Sequence, residues 1–293
     1  MKILLLGNTG QLGWELERTL APLGDVTPVD FPALNLADPQ GTRAIIRRAA
    51  PQVIVNATAY TAVDKAESEP DQSLAYAINA TGSGILAEEA KSLGAALIHY
   101  STDYVFDGTK GSPYIETDST HPLGVYGSSK LAGEQAVAAA GCPYFTFRTA
   151  WVYTTRRDSF VTKVLQWAHQ QTTLKLVTDQ VSNPTSARML AEITAQLLAK
   201  AGGDPVSWIS ERCGLYHLAG DGFGSRLEWA QEILRLDPRK AEQTVRAVLP
   251  ALTADFPTPA QRPLFSALNC QKFTHTFGLK LPPWQVALRL VMG

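Results

Sequence analysis

Tyr126-Gly127-Ser128-Ser129-Lys130 sets a phenol and an ammonium four residues apart, a spacing that puts both on one face of a helix. An ammonium beside a phenol favours the phenolate and makes the ring a proton donor to a carbonyl under reduction, while the same lysine can hydrogen-bond a ribose. Isolated Tyr-x-x-x-Lys pairs mostly mark an exposed helix face. This one gains weight from a glycine turn far upstream. Gly7-Asn8-Thr9-Gly10-Gln11-Leu12-Gly13 follows a predicted strand and opens a predicted helix. Gly7 permits the tight turn, Gly10 lets backbone approach a pyrophosphate, Gly13 lets helix pack on strand, and the helix N-terminus favours negative charge.

Asp30 ends the second predicted strand, where an acid meets the adenosine ribose hydroxyls of a dinucleotide or simply caps a solvated strand end. An acid there repels a 2′-phosphate, yet a Lys or Arg from elsewhere could reach one, so the cofactor expected is NADPH or NADH. Asn56-Ala57-Thr58-Ala59-Tyr60-Thr61 ends the third strand, where backbone runs along a cofactor. Tyr100-Ser101-Thr102-Asp103 follows the fourth, at the carboxyl end where open α/β sheets bind ligands. The Thr102 hydroxyl can donate to a substrate oxygen there or cap a turn.

The elements that must position these groups alternate. Apolar runs at 2–6, 26–29, 53–56, 96–100 and 144–148 predict strands, and the stretches 11–21, 39–49, 72–93 and 128–140 between them have helical period. Such alternation predicts an α/β, Rossmann-type doubly wound parallel sheet. Beyond Trp151 prolines interrupt the pattern, with helices at 187–200 and 227–236 and a turn at 201–205, which predicts a smaller irregular C-terminal substrate lobe. The expected division is a dinucleotide-binding domain over 1–150, joined by part of 186–235, and a discontinuous substrate lobe over 151–293.

A hydrophobic content of 45% with 18% charged residues excludes a disordered or fibrous chain. With 26 basic against 27 acidic residues and no basic run, no nucleic acid partner is expected. Cys142, Cys213 and Cys270 are odd in number and share no C-x-x-C spacing, which predicts free thiols and no metal site. His99, His121, His169, His217 and His275 form no ligand-spaced cluster and read as structural. The apolar run 3–6 is too short for a signal segment and no stretch is long enough to span a bilayer, so a cytoplasmic location with no membrane partner is expected.

The glycine fingerprint, the strand-end threonine and Tyr126-x-x-x-Lys130, in that order, resemble the extended short-chain dehydrogenase/reductases. The finer motifs Gly10-Gln11-Leu12-Gly13, Thr61-Ala62-Val63-Asp64-Lys65-Ala66-Glu67, Ser101-Thr102-Asp103-Tyr104-Val105-Phe106, Phe147-Arg148-Thr149-Ala150-Trp151-Val152-Tyr153 and Pro257-Thr258-Pro259-Ala260-Gln261-Arg262-Pro263 resemble the dTDP-4-dehydrorhamnose reductase family among them. That resemblance implies reduction of the 4-keto group of dTDP-6-deoxy-L-lyxo-4-hexulose to dTDP-L-rhamnose, the last step in making a sugar donor for cell-wall polysaccharide or lipopolysaccharide O-antigen. It implies Tyr126 as proton donor, Lys130 orienting the ribose and tuning the tyrosine, and Thr102 polarising the keto oxygen. Gly7, Gly10, Gln11, Leu12, Gly13, Asp30, Ala59, Tyr60, Thr61 and Tyr100 would line the dinucleotide. Asn35-Leu36 stands where many members carry an Asp-apolar pair against adenine.

For the substrate, the resemblance implies Trp151 packing on the deoxysugar, Arg262 clamping the diphosphate, and contributions from Asp103 and from Asn183 in the loop Asp179-Gln180-Val181-Ser182-Asn183-Pro184-Thr185. Ser182 replaces a glycine of many members, which puts a glycine-type turn there in question. Arg188 stands where some relatives place a carboxylate that, with one equivalent to Glu15, bridges a dimer through Mg²⁺; a cation cannot ligate a cation, so no metal and a monomer rather than a homodimer are expected. A dehydratase would need a second acid where Tyr104 stands, and epimerases match the Trp151 and Arg262 motifs poorly. A non-catalytic dinucleotide-binding subunit, resembling the β subunit of methionine adenosyltransferase, is the alternative from another class.

Overall fold

In the computed structural model, which describes residues 1–293, the first half of the chain alternates strand and helix. β1 (Lys2–Leu6), α1 (Gln11–Leu20), β2 (Asp25–Val29), α2 (Pro39–Ala49) and β3 (Val53–Asn56) lead to α3 (Asp71–Tyr76) and α4 (Ser83–Leu93). β4 (Ala96–Thr102), α5 (Val125–Ala140) and β5 (Tyr144–Thr149) complete this half. The second half is more broken: β6 (Val152–Tyr153), α6 (Phe160–Gln170), β7 (Thr173–Val177), β8 (Val181–Ser182), β9 (Thr185–Ser186), α7 (Ala187–Ala201) and α8 (Pro205–Glu211). β10 (Gly214–His217), β11 (Gly224–Ser225), α9 (Arg226–Leu236), β12 (Ala247–Ala251), α10 (Gln271–Phe277) and α11 (Trp284–Met292) follow.

Six of the strands form one parallel sheet in the order β10-β5-β4-β3-β1-β2. Ile3 to Leu6, β3 and β4 are buried throughout because helices cover both faces. One face packs on α1, α7 and α10 through Leu16, Leu190, Leu197 and Phe273; the other packs on α2 and α4 through Leu36, Ile46 and Leu86. Pro28 lies in β2, at the sheet edge, where a missing N–H is tolerated. Asp38 caps α2 by accepting from the backbone of Gln40 and Gly41, with Pro39 in the first turn.

Four features of the main sheet and its helices differ from the sequence-based expectation. β10 is an additional strand: Gly214-Leu215-Tyr216-His217 is too short and too mixed to register as an apolar run, and pairing with β5 is what makes it extended. The expected helix over 72–93 is interrupted by a π-helical turn, Ala77–Gly82, between α3 and α4. α5 starts at Val125, which sets Tyr126 in its first turn, and β4 runs on to Thr102.

A separate core under the second half gathers Tyr153, Val161, Val164, Leu174, Trp229 and Trp284 around α6, α9 and β7. The parallel pair β7–β12 and the antiparallel pair β8–β11 frame it. No helix is long and apolar enough to cross a membrane.

The order of the sheet reverses between β1 and β3, and the crevice beyond their carboxyl ends holds the glycine turn. A Cβ on Gly13 would overlap the Gly7 carbonyl oxygen and backbone, so helix and turn meet only through glycine. Gly13→Ala is therefore expected to lower unfolding stability by about 1–3 kcal/mol and to weaken dinucleotide binding, because the turn must shift. Urea unfolding followed together with an NADPH titration checks this; two unchanged curves would contradict it.

Candidate functional site

The glycine turn is braced from β2. Asp30 Oδ2 accepts from the Thr9 amide at 2.9 Å and the Thr9 hydroxyl at 2.6 Å, while Oδ1 accepts from the Phe31 amide at 2.7 Å. Gly7 has φ +84°, and a Cβ there would come within 2.8 Å of Thr58 Oγ1, so β3 crowds the turn from the other side. Gly10 caps α1 with no side chain engaged, and the first turn holds no acid. The amides at this helix end are thus left without a side-chain acceptor, as a helix end that takes an anion requires. Gln11 Oε1 and Thr58 Oγ1 are buried with no hydrogen-bond partner. A glycine cradle, an uncapped helix end and two orphaned oxygens beside it are what a bound dinucleotide requires, and the residues present fit one.

The expected cofactor residues divide. Leu12 and Leu36 are core residues, 8% and 3% exposed, with side chains in the packing on opposite faces of the sheet. For Leu36 a side-chain contact with adenine is therefore corrected to a core role, and Leu12 has only its backbone at the helix end. Asn35 is exposed and accepts from the Ala37 amide at 3.0 Å in an Asx turn. Two cations that sequence spacing could not bring here lie over the turn. Arg157 donates to the Thr9 carbonyl and Arg156 to the Gly10 carbonyl at 3.5 Å, from the loop between β6 and α6.

Ala59, Tyr60 and Thr61 lie beyond the end of β3, held by Asn79 in the π-helical turn. Asn79 Oδ1 accepts from the Tyr60 amide at 2.8 Å, and its Nδ2 donates to the Tyr60 carbonyl at 3.1 Å and to Ser129 Oγ at 3.0 Å. One buried amide thereby fixes the strand-end segment to the helix that bears Tyr126 and Lys130. α5 comes this close because a Cβ at Gly133 would overlap the Asn79 carbonyl. Asn79 escaped sequence reading, since a lone Asn in a helical stretch carries no spacing signal; π-helical turns recur at functional sites. The Tyr60 hydroxyl donates to Asp71 at 2.6 Å, and burial with that carboxylate pushes it up to about 12.

Thr102, Tyr126 and Lys130 converge at the carboxyl end of β4. Thr102 Oγ1 accepts from the Tyr104 amide at 3.2 Å and donates to Asp103 Oδ1 at 3.2 Å. Burial raises the Tyr126 phenol above its ordinary range, opposed by the Thr102 hydroxyl and reinforced by Asp103 and Tyr104. The Lys130 side chain is buried and its Nζ donates to the Tyr100 carbonyl at 2.6 Å. Burial lowers Lys130 to about 8, against the pull of Glu134 one turn on. Glu134 is itself paired with Arg148 at 2.7 Å and accepts from Ser101 at 2.5 Å. The Tyr100 ring faces the core, its hydroxyl bonded to Thr194 at 2.6 Å; its carbonyl, not its ring, is the part at the site.

On the substrate side, two expected contacts are structural. Asn183 spends its amide on backbone, donating to Gly220 and Gly222 at 3.2 and 2.9 Å and accepting from Leu268 at 2.7 Å. Asp103, 2% exposed, accepts from Ser182 at 3.0 Å and Ser266 at 2.5 Å, and burial raises it to about 6. Both hold loops in place. Ser182 lies in β8, outside the left-handed region, so the glycine is not needed there.

Trp151 and Arg262 do reach one region. Trp151 has φ +43°, stacks on Trp229 with centroids 5.5 Å apart, and carries Arg226 over its ring at 3.6 Å. Arg262 donates to Asp64 at 2.8 Å. Arg226 and Arg262 line a pocket of about 730 Å³ with Phe160, Trp167, Leu176 and Phe256, and Gln180, Thr253 and Thr258 supply polar edges. Arg188 pairs with Glu192 at 2.9 Å, and no cluster of three His, Cys, Asp or Glu side chains is placed to hold a metal ion.

A family model described as the RmlD substrate binding domain matches residues 1–293. The chain is 43% identical over 293 residues to a dTDP-4-dehydrorhamnose reductase of Burkholderia thailandensis, covering 99% of this chain and 97% of that protein. Identity to the dTDP-4-dehydrorhamnose reductase of Escherichia coli K12 is 41% over 299 residues, covering 100% and 97%. The crystal structure of a dTDP-4-dehydrorhamnose reductase from Bacillus anthracis in complex with NADP matches with a TM-score of 0.88 at 31% identity, covering 99% of each chain. One from Clostridium acetobutylicum matches with a TM-score of 0.90 at 35% identity, covering 100% of this chain and 98% of that one.

The lowered Lys130 sets a pH dependence. Its ammonium is complete below about pH 7 and is lost as pH rises through about 8. Affinity for a dinucleotide that this cation helps to hold is expected to be level below about pH 7 and to fall above about pH 8. NADPH titrations between about pH 6 and pH 10 on the wild type and on Lys130→Met check it. Equal slopes in the two proteins would remove Lys130 as the cause.

Proposed function

The chain belongs to the dTDP-4-dehydrorhamnose reductase family, and from that premise we propose that it reduces the 4-keto group of dTDP-6-deoxy-L-lyxo-4-hexulose to dTDP-L-rhamnose with NADPH or NADH. The observation that carries this reading is the meeting of Thr102, Tyr126 and Lys130 at the end of β4, in a sheet whose switch point holds the glycine cradle.

Gly7, Gly10 and the N-terminal amides of α1 would hold the pyrophosphate, and Asp30 would take the adenosine ribose hydroxyls on its remaining lone pairs. Residues 57 to 61 would run beside the cofactor. When bound, the reduced nicotinamide supplies the hydride that carbon 4 of the sugar accepts.

Tyr126 gives the keto oxygen its proton. Its raised pKa keeps the phenol protonated until negative charge develops on that oxygen, so the donor is loaded at neutral pH. Thr102 spends its one hydroxyl proton on Asp103 Oδ1, and would turn it from that carboxylate to the same oxygen as it becomes an alkoxide. Lys130 places a cation behind the phenol, where it hydrogen-bonds a ribose and offsets the phenolate after proton transfer. Hydride and proton together complete the two-electron reduction with no metal.

The pocket beside Arg226 and Arg262 has the volume of a small-molecule site. Its aromatic walls suit a nucleobase, its polar edges suit a deoxyribose, and its arginines suit the diphosphate, leaving the sugar directed toward Trp151 and Tyr126.

Cofactor oxidation with dTDP-6-deoxy-L-lyxo-4-hexulose, run with NADPH and with NADH and followed by identification of the product, tests the reading. The expected product is dTDP-L-rhamnose. Dinucleotide binding without turnover on this substrate would favour the binding-subunit alternative. Tyr126→Phe is expected to lower kcat by about two to four orders of magnitude while NADPH affinity stays within about twofold. An unchanged kcat would remove the phenol from the mechanism.

A further inference from the structure

We infer that Arg226 is the principal anchor of the substrate diphosphate, forming with Arg262 a two-guanidinium anion site between the large pocket and Trp151; this rests on the nucleotide-sugar reading above.

Arg226 opens α9 directly after its Ser225 cap. A cation at a helix N-terminus opposes the macrodipole, so this position needs a compensating interaction. The acid in the first turn does not provide it. Glu228 is committed to the capping box, accepting from the Ser225 amide at 2.7 Å and hydroxyl at 2.9 Å. Arg226 takes part in no ion pair, and its guanidinium makes no hydrogen bond to any protein group.

Aromatic rings hold it instead. Its Cζ lies 3.6 Å from the ring centroid of Trp151, 4.8 Å from Phe160 and 5.5 Å from Trp229. Stacking satisfies the faces of a guanidinium and leaves its N–H edges unspent. Burial lowers Arg226 to about 10, so it stays charged at neutral pH while poorly solvated. Arg262 is also underused: one Nη bonds Asp64, and Nη1 is buried with no partner. Tyr104 and Asp103 attract the Arg226 cation without pairing with it, and Arg262 repels it. Neighbouring, desolvated cations with free N–H groups on one pocket wall call for an anion of more than one charge with several oxygens.

A nucleoside diphosphate is that anion. It is also the part of a nucleotide sugar that must lie between a pocket sized for the nucleoside and the aromatic ring beside the reacting sugar. No motif pointed to Arg226, but its place beside the Ser225-x-x-Glu228 capping signature, where an acid is the ordinary choice, was a readable sign.

Calorimetric titration of the full chain with dTDP tests the inference on wild type, Arg226→Gln, Arg226→Lys and Arg262→Gln, with NADPH titration and thermal unfolding as fold controls. Arg226→Gln is expected to weaken dTDP by about 10- to 100-fold and to raise KM for the sugar nucleotide more than it lowers kcat, with NADPH affinity within about twofold. Arg226→Lys, which keeps the cation over Trp151 and loses the planar fork, is expected to lose about tenfold and carries the test if the Gln variant does not fold. Wild-type dTDP affinity in a folded Arg226 variant, or a smaller loss there than in Arg262→Gln, overturns the inference while leaving the function intact. Absence of dTDP binding by the wild type overturns both.

Discussion

One buried carboxylate sets the relation between the sheet and the segments that cover it. Asp103 follows the last residue of β4 and accepts hydroxyl hydrogen bonds from Thr102, from Ser182 in β8 and from Ser266 before α10. Burying an ionised carboxylate is costly unless its lone pairs are filled. Three hydroxyls fill most of them, and the residual cost is visible as a pKa raised to about 6. The consequence is geometric. Thr102 cannot shift without disturbing two segments far along the chain, so the distance between the proton donor and the substrate-facing loops is fixed by a group that touches neither ligand.

The same desolvation acts on several buried groups in this region, and its sign depends on the group. Tyr126 and Asp103 go up; Lys130, Arg226 and His217 go down. Each move favours the neutral form. For Tyr126 that keeps a proton available, and for Lys130 it limits how strongly the ammonium can stabilise the phenolate before ligands arrive. The mixture of an acid held protonated and a base held near its titration range suits a step in which a proton is delivered as charge develops. Arg226 differs in kind, because it stays a cation with no ion pair of its own, Asp103 attracting it only from a distance.

Local signals in the sequence carried most of the sheet. β1, β3, β4 and β5 are buried almost without a break and largely apolar because both faces are covered, and Gly13 is demanded by a contact six residues away. Groups defined by distant neighbours were not legible. β10 is a strand because β5 pairs with it; Asn79 matters because Tyr60 and Ser129 meet on its amide; Arg156 and Arg157 cross the glycine turn because β6 delivers them there. The Tyr126–Lys130 spacing gave the shared helix face but not the burial of the Lys130 side chain, since periodicity reports direction around a helix and not how deep a side chain runs. Leu36 and Asn183 have structural roles that spacing could not show, for a related reason. Their motif positions are at the site, but their side chains are consumed by the core and by backbone.

Trp151 shows how the two halves constrain each other. A non-glycine residue at φ +43° sits in a sparsely populated region costing about 1–3 kcal/mol. It persists because its surroundings leave it no alternative. Its carbonyl accepts from the Thr185 amide at 3.2 Å, its neighbours Val152 and Tyr153 pair with β9, and its ring is fixed by Trp229 and Arg226. The turn bends the chain away from β5 while the indole stays at the strand end. Relaxing the strain would require breaking the β6–β9 pair and moving a charged side chain out of its aromatic cluster. The indole is therefore held in one orientation before any ligand binds, and little ordering cost remains for a sugar that docks beside it.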